Sequence, residues 1–160
     1  MIRSTALVVL ALILLQTTTF SNGEEEFKKC TGLMEGVDGD GCPEQVRQPL
    51  YNKLKGKNDK LNQNCTLEGV TVISNNFNNE IAYRGEFGEI DGLIHLWYRE
   101  NNNNELTFGK DDPLKGLDIP GFIEKVIKNW DNELDKVKQK TQFGCYLGVS
   151  FNYTLVCAFA

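Results

Sequence analysis

The C-terminal segment, residues 143–160, constrains the fold most, because its pattern predicts an antiparallel β-hairpin closed by a disulfide. If Cys145 lies opposite Cys157, the same register places the odd-numbered apolar residues on one face. The further pairs in this register are Phe143 with Phe159 and Leu147 with Leu155. Opposed residues in such a hairpin have Cα atoms about 4.5–5.5 Å apart, a spacing that a disulfide can bridge. The sequence therefore predicts a Cys145–Cys157 bond and, with it, an oxidising extracellular compartment.

The N-terminus has the pattern of a secretory signal peptide. Arg3 supplies a positive charge, and residues 6–15 form an uninterrupted apolar run of ten residues. This run is too short for a transmembrane helix, which needs about 20 apolar residues. Small residues at 21–23 place the predicted cleavage after Gly23. We therefore expect residues 1–23 to be removed, giving an extracellular protein without stable membrane insertion.

Composition narrows the class of partner. The chain has 17 Lys and Arg against 22 Asp and Glu, and only Arg3 lies in the predicted signal peptide, so the mature chain retains 16 basic and 22 acidic residues. Nucleic acids and anionic membranes require clustered Lys and Arg, whereas the basic residues here are mostly interleaved with acids, and the one basic cluster, Lys53 to Lys60, fits a solvated helix end and loop. We expect an acidic, Gly-rich irregular N-terminal arm at residues 24–44, followed by one domain at residues 45–160.

The other cysteines and two sequons indicate further covalent chemistry. Cys30, Cys42 and Cys65 form an odd set, so one disulfide and one leftover thiol is the simplest outcome, but the spacing does not say which residues pair. We expect the leftover thiol to be buried, and the alternative is a bond to a second chain. The sequons at Asn64 and Asn152 are candidate N-glycosylation sites, the second of them at the predicted hairpin tip.

Hydrophobic periodicity predicts three helices before the hairpin, over residues 46–56, 90–100 and 119–140. Pro49 either kinks the first of these or marks its first turn, and Pro120 suits the first turn of the last. Residues 66–74 fit a helix and a strand equally, since their apolar spacing is helical but they are rich in β-branched side chains. Residues 81–88 favour a short extended segment and a turn. This mixture of elements indicates an α+β or layered α/β domain.

Short motifs in a fixed order along residues 51–160 carry a family resemblance. They are Tyr51-Asn-Lys-Leu-Lys, Leu61-Asn-Gln-Asn-Cys-Thr-Leu-Glu, Asn79-Glu-Ile, Trp97-Tyr-Arg-Glu, and Lys140-Thr-Gln-Phe-Gly-Cys followed by Leu155-Val-Cys. They resemble motifs of the CAP superfamily, which includes cysteine-rich secretory proteins, venom allergens and helminth activation-associated secreted proteins. The resemblance implies a single α+β domain, a CAP-like α-β-α sandwich that ends in the disulfide-clamped hairpin.

The same resemblance locates a cavity that this chain does not preserve. In the CAP superfamily two histidines and two glutamates build it, and in some members they hold a divalent metal. The corresponding positions here are Tyr51, Glu80, Glu100 and Asp131, so both glutamates are kept and both histidines are replaced. The only histidine, His95, lies within the predicted helix at 90–100 and cannot replace two ligands. We therefore expect a degenerate cavity that binds no metal and no cofactor.

The residues also argue against an enzyme. Serine or cysteine hydrolysis needs a base, usually histidine, about 3 Å from the nucleophile, and the sequence has no Gly-x-Ser-x-Gly elbow. The remaining enzymatic alternative is a pair of carboxylates, Glu80 and Glu100, acting as acid and base. Since solvated surface carboxylates are far more common than such pairs, we expect no catalytic residues.

Three non-enzymatic functions follow. The resemblance implies a secreted, venom allergen-like effector that binds an extracellular or cell-surface protein, in helminth members at the host–parasite interface, where immune factors are partners. The second alternative is a carrier of a sterol or fatty acid in a cavity lined by Phe122, Ile127 and Trp130, although a stripe at helical spacing usually belongs to the core. The third is a protease inhibitor that uses the loop at residues 38–43.

Overall fold

The computed structural model describes residues 27–32, 41–102 and 112–160. The predicted signal peptide and the predicted inhibitor loop, apart from its end at residues 41–43, lie outside the described residues. The described parts of the predicted N-terminal arm, up to residue 43, contain neither helix nor strand. None of the described helices has the length and apolar character needed to cross a membrane.

The described residues form four α-helices and four strands. In chain order these are α1 (Glu44–Lys57), β1 (Asn62–Gln63), α2 (Cys65–Asn76), α3 (Arg84–Phe87), β2 (Ile94–Asn101), α4 (Ile119–Leu134), β3 (Gln142–Val149) and β4 (Asn152–Phe159). A 3-10 turn at Asp135–Val137 follows α4 directly. The strands make one sheet in the order β1–β3–β4–β2, in which β1 pairs with β3 in parallel and the other pairs are antiparallel.

The elements stack in three layers, with helices on both faces of the sheet. Helices α1 and α4 pack together over one face, and α2 packs against β3 and β4 on the other. The main core, between α1, α4 and the sheet, contains the large buried side chains Leu50, Tyr51, Phe122, Trp130, Phe143 and Phe159. The smaller cluster under α2 contains Leu67, Val70, Ile73, Tyr83 and Ala158. The predicted α+β class and the CAP-like α-β-α sandwich are thereby confirmed.

The C-terminal hairpin has the predicted register. Cys145 lies opposite Cys157, and their disulfide joins Cα atoms 4.1 Å apart. The flanking pairs are Phe143 with Phe159 and Leu147 with Leu155. Within β3 and β4 the odd-numbered apolar side chains pack in or against the main core, which is why this register is the stable one. The tip of the hairpin is formed by residues 150–151.

The remaining cysteines form one pair and one leftover thiol, as expected. A disulfide joins Cys30 to Cys65, the first residue of α2, and so ties the N-terminal arm to the helix layer. Cys42 is free and only 1 % exposed, in agreement with the predicted burial. Burial, together with the nearby Glu68 carboxylate, raises the pKa of the Cys42 thiol well above its usual value. The thiol therefore stays protonated, which is the unreactive form.

The helix predicted for residues 90–100 is wrong, because this part of the chain forms strand β2. One face of β2 packs on the main core, whereas the other face, on the α2 side, carries His95, Trp97 and the exposed Arg99. Ile94 and Leu96 belong to the main core, whereas Leu93, just before the strand, packs in the cluster under α2. Large apolar and aromatic residues occur on both faces of β2, with Leu96 toward the main core and Trp97 on the α2 side, so the polar–apolar alternation of a half-exposed strand is blurred and the apolar residues matched a helical spacing by coincidence.

Four other segments also differ from or refine the expectations. Residues 66–74 are helical, as part of α2, which resolves the helix-or-strand ambiguity. Residues 81–88, expected to form a short extended segment and a turn, form turns and the short helix α3. Gly88 ends this helix with a positive φ of 73°. Pro49 lies inside α1 rather than in its first turn. The helix predicted for residues 119–140 ends as α4 at Leu134 and continues only as the 3-10 turn.

Helix α2 lies directly on β3 at a glycine. The Asn64 side chain caps α2 by accepting hydrogen bonds from the Thr66 and Leu67 N–H groups, which fixes the first turn of the helix. This turn lies over Gly144 of β3. A Cβ atom at Gly144 would stand 2.6 Å from the Leu67 carbonyl carbon and 2.8 Å from the Asn64 carbonyl oxygen. The close packing of helix on strand therefore requires a residue without a side chain at position 144.

Strand β2 forms one edge of the described sheet. The indole N–H of Trp130, in α4, donates a hydrogen bond of 2.9 Å to the Trp97 carbonyl oxygen of β2. Trp130 is 1 % exposed, so the bond satisfies a buried donor and also fastens α4 to the sheet edge.

Candidate binding surface

Tyr51, the first of the four predicted cavity positions, is a core residue. Its side chain in α1 is fully buried between the rings of Phe27 and Phe143, whose centroids lie 4.9 and 4.5 Å away. The hydroxyl donates a hydrogen bond of 2.6 Å to Glu68 Oε1 and accepts one of 3.3 Å from the Cys145 N–H. Tyr51 thus links α1, α2 and β3 by hydrogen bonds inside the core.

The other three predicted cavity positions have separate surroundings. The Glu100 carboxylate, in β2, accepts a hydrogen bond of 3.0 Å from Lys125 of α4. Asp131, in α4, pairs with Lys57 at 3.0 Å, and Glu80 is an exposed residue in the turn after α2. None of the four positions is joined to another by a hydrogen bond or an ion pair. Among the described residues, no group of three or more His, Cys, Asp or Glu could hold a metal ion.

A buried polar cluster surrounds Glu68 between α1 and α2. Glu68 is fully buried, and its Oε1 accepts hydrogen bonds from Tyr51 and, at 2.8 Å, from Gln63 Nε2. Burial raises the pKa of Glu68 above its usual value, although these two hydrogen bonds and the Arg47 charge oppose the shift. Arg47 is itself only 4 % exposed and lies in α1 beside Cys42. Glu68 Oε2 and Arg47 Nε are buried without a hydrogen-bond partner among the described residues, so this polar cluster is only partly satisfied.

Sequence reasoning did not single out Glu68 or Arg47. Glu68 was visible only as the last residue of a CAP-like motif, and Arg47 lies one position after the apolar Val46 of α1. The available signal was that Glu68 lies between Leu67 and Val70 and is the one charged residue of α2, so a helical α2 places its carboxylate between layers. A buried carboxylate needs partners, and the tyrosine in α1 supplies one.

His95 lies in β2, on the face covered by α2, and not in a helix. Its Nε2 is 3.3 Å from the Ser74 hydroxyl, and its ring centroid is 5.8 Å from that of Tyr83. Partial burial lowers the pKa of His95 to about 4 from an ordinary value of 6.5. The imidazole is therefore neutral at physiological pH and packs as an aromatic residue.

We expect the His95 imidazole to titrate near pH 4 in the folded protein. As the pH falls, the unfolded chain binds a proton at its histidine before the folded protein does. The free energy of unfolding is therefore unaffected by His95 above pH 6.5 and decreases as the pH falls from 6.5 toward 4. After allowance for partial exposure, the decrease is about 2 kcal/mol. As the chain has one histidine, the Hε1 resonance of the untagged protein reports this titration by NMR. The urea-unfolded protein, with a midpoint near 6.5, is the control. A midpoint between 6 and 7 in the folded protein would contradict the burial of His95.

The two sequons lie in different settings. Asn64 uses its side-chain oxygen to cap α2, and its Nδ2 donates a hydrogen bond of 2.8 Å to Gln142 Oε1. Asn152 is the first residue of β4, next to the hairpin tip, and is partly exposed. Glycosylation of Asn152 leaves the fold contacts described here unchanged, whereas glycosylation of Asn64 modifies a nitrogen that already has a partner. Occupancy at both sites stays a prediction.

Large apolar side chains are exposed at one end of the molecule. Phe77, at the end of α2, is 69 % exposed, Ile81, in the following turn, 53 %, and Phe151, at the hairpin tip, 78 %. These three are the exposed large apolar residues of the described part of the chain. The hairpin tip meets the end of β2 through a hydrogen bond of 2.9 Å from the Asn102 N–H to the Phe151 carbonyl.

A pocket of about 340 Å³ lies at the same end, on the α2 side of the sheet. It is lined by Asn78, Trp97, Tyr98, Arg99 and Thr154. Asn78 follows Phe77 directly, and Thr154 lies three residues from Phe151, so the pocket adjoins the exposed apolar side chains. We call this region the tip surface and define it by Phe77, Asn78, Ile81, Trp97, Arg99 and Phe151.

The stripe considered for an apolar ligand is mostly core. Phe122 and Trp130 are each 1 % exposed within the main core. Ile127, the third member, is partly buried and lines a groove of about 290 Å³ between α1 and α4. The other groove residues are charged: Lys53, Glu124, Lys128 and Asp131. Such a groove suits an apolar ligand poorly.

The three-layer fold and its disulfide-clamped hairpin define a CAP-like protein. The family described as Ancylostoma-associated secreted protein related, which is CAP-like, matches residues 30–159. This range is most of the chain and includes both disulfides, and the chain therefore belongs to that family. No curated protein and no solved structure was found to match the chain.

Proposed function

We propose that this protein is secreted, is not an enzyme, and acts by binding an extracellular or cell-surface protein through the tip surface. Membership of a secreted-protein-related family and two disulfides support the extracellular setting. The family resemblance further supports a role at a host–parasite interface, with immune proteins as one class of partner. The separate surroundings of the four cavity positions support a non-catalytic protein.

The observation that carries the proposal is the concentration of exposed apolar side chains on the tip surface. Single exposed apolar residues are ordinary, but a group of them beside a pocket is typical of a protein interaction site. Phe77, Ile81 and Phe151 come from three separate turns, and all three are more than half exposed. In a chain with a well-formed core, such exposure is better explained by a partner than by incomplete folding.

The scaffold also supports a binding role, because it holds the tip surface in place. The hairpin that carries Phe151 is clamped by the Cys145–Cys157 disulfide, and α2, which Phe77 follows directly, is tied to the arm by Cys30–Cys65. A surface that is already ordered loses less conformational entropy when it binds. The two disulfides therefore favour affinity as well as stability.

The proposal is tested with the mature protein, secreted from eukaryotic cells, on an array of purified extracellular domains. We expect saturable binding to at least one domain, and we expect the triple substitution Phe77→Ser, Ile81→Ser, Phe151→Ser to weaken it at least tenfold. These three side chains are exposed, so the variant should keep the melting temperature of the wild type within a few degrees.

The matched control carries three substitutions on the groove between α1 and α4: Lys53→Ser, Glu124→Ser and Lys128→Ser. This variant should bind like the wild type, because these residues lie in the opposite helix layer. Equal binding by the tip-surface variant would contradict the assignment of the surface. If no domain binds, and mass spectrometry of the secreted protein finds a stoichiometric lipid, the carrier function replaces the proposal.

A further inference from the structure

We propose that Arg99 is the specificity-determining residue of the tip surface and binds a carboxylate that the partner protein presents beside an apolar side chain. This inference rests on the proposed function and names the chemistry of the partner: an acidic segment that also carries an aromatic or aliphatic residue.

The Arg99 guanidinium is held in place by neutral groups. Its Nε donates a hydrogen bond of 3.2 Å to Thr154 Oγ1, and its Nη2 donates one of 3.0 Å to Asn78 Oδ1. Of the five N–H groups of an arginine side chain, these bonds use two. The other three remain for a ligand, and the residue is exposed.

The charge of Arg99 is not neutralised within the described part of the chain. Several other cations there have carboxylate partners, for example Arg84 with Glu89 at 3.3 Å and Lys125 with Glu100 at 3.0 Å. Arg99 contacts only the amide of Asn78 and the hydroxyl of Thr154. An ordered guanidinium with free N–H groups and an uncompensated charge is complementary to a carboxylate, which it can bind through two parallel hydrogen bonds.

Asn78 positions this arginine at some conformational cost. Its φ of 48° makes it the non-glycine residue with positive φ in the described chain. Asparagine tolerates this left-handed conformation better than most residues, and here it turns the chain after α2 so that the amide meets Arg99. The contact also joins the end of α2 to β2. Asn78 is therefore a positioning residue for Arg99.

The surroundings of Arg99 define the second half of the ligand. Trp97 lies two residues away on the same face of β2 and lines the same pocket, and the exposed Phe77 precedes Asn78. Arginine and tryptophan are the residues most enriched at the energetic centres of protein interfaces. A pocket of about 340 Å³ accommodates one or two side chains. The geometry thus fits a carboxylate on the guanidinium with an apolar side chain against the aromatic rings.

The test uses a phage-displayed library of random 12-residue peptides, selected on the wild-type protein. We expect the selected sequences to be enriched in Asp or Glu next to aromatic or aliphatic residues. The dominant sequence is synthesised, and its Kd is measured by calorimetry for the wild type and for the variants Arg99→Gln and Arg84→Gln. Arg99→Gln should weaken binding at least tenfold. Arg84→Gln, which removes the same charge from an exposed ion pair, should change the Kd less than twofold.

Three further measurements separate an anchoring role from a general charge effect. Arg99→Lys keeps the charge but loses the planar fork, so it should restore only part of the affinity. Asn78→Gly keeps the backbone conformation and removes the amide, so it should weaken binding by an intermediate factor. In a third measurement, the acidic residue of the peptide is replaced by its amide. The wild type should bind this amide peptide as weakly as Arg99→Gln binds the acidic peptide. Combining the amide peptide with Arg99→Gln should cause no further loss of affinity.

Several results would overturn the inference. These are selected peptides without acidic residues, or an acidic peptide that binds Arg99→Gln as tightly as it binds the wild type. If, after such a result, the selected peptides still bind the Phe77, Ile81 and Phe151 variant more weakly than the wild type, the proposed function stands, but the proposal that Arg99 binds a carboxylate fails. If that variant binds them as the wild type does, both proposals fail at this surface.

Discussion

Replacement of Gly144 by alanine is expected to destabilise the protein by about 3 kcal/mol and to lower its melting temperature by about 10 °C. The new methyl group would contact the backbone of Asn64, Leu67 and Glu68, which forms the capped first turn of α2. Backbone atoms in a hydrogen-bonded turn cannot rotate away, so the helix and the strand must separate. Thermal unfolding followed by circular dichroism measures the effect.

Two other glycines serve as graded controls. Alanine at Gly148 would meet only the side-chain amide of Asn75, which can move, so we expect a loss of about 1 kcal/mol. Alanine at Gly56, in the last part of α1, has nothing within 4 Å and should raise stability by about 0.5–1 kcal/mol. If Gly144→Ala melts like the wild type, α2 does not lie on β3 as described.

The second large effect is expected at the hairpin disulfide. Substituting both Cys145 and Cys157 by alanine should lower the free energy of unfolding by about 3 kcal/mol, because the unfolded chain gains the freedom of the opened loop and the core loses two buried sulfur atoms. Urea titration of the purified protein measures the change. The yield of soluble protein should fall with it, since a domain of this size is only marginally stable.

The control for this experiment is Cys42→Ala. It removes a sulfur atom of similar burial but no disulfide, so its effect should stay near 1 kcal/mol. The double substitution must therefore be clearly the more damaging of the two. Equal stability of the double variant and the wild type, or peptide mapping that joins Cys145 to a cysteine other than Cys157, would contradict the hairpin.

The hairpin was predictable from the sequence because a single strand register both pairs the cysteines and places the apolar residues on one face. Opposing Cys145 and Cys157 also aligns the odd-numbered apolar residues, so a single hypothesis explained many positions. Helix α4 was predictable for a similar reason, since its apolar stripe is long and Pro120 marks its start. Such elements carry their pattern within one segment of chain.

The errors arose where the surroundings of a segment decide its structure. Strand β2 carries large apolar side chains on both faces, and its pairing with β4, which makes it a strand, is not visible within residues 90–100. The resemblance located the cavity positions, such as Tyr51, in the sequence. It did not reveal which residues they contact in the folded chain. Arg99 shows the same limit, because its contacts with Asn78 and Thr154 join three elements that are distant in sequence.

The hydrogen bond between the Trp130 indole and the Trp97 carbonyl bears on how the protein behaves when it is concentrated. The edge of a β-sheet can recruit the edge of a neighbouring copy, and growth in this way leads to fibres. On β2 one of the carbonyls that would take part in such growth is already bonded to the chain's own side chain, and the bulk of α4 stands beside it. In a concentrated sample, growth from this edge should therefore be less favourable than growth from an edge whose carbonyls are all free.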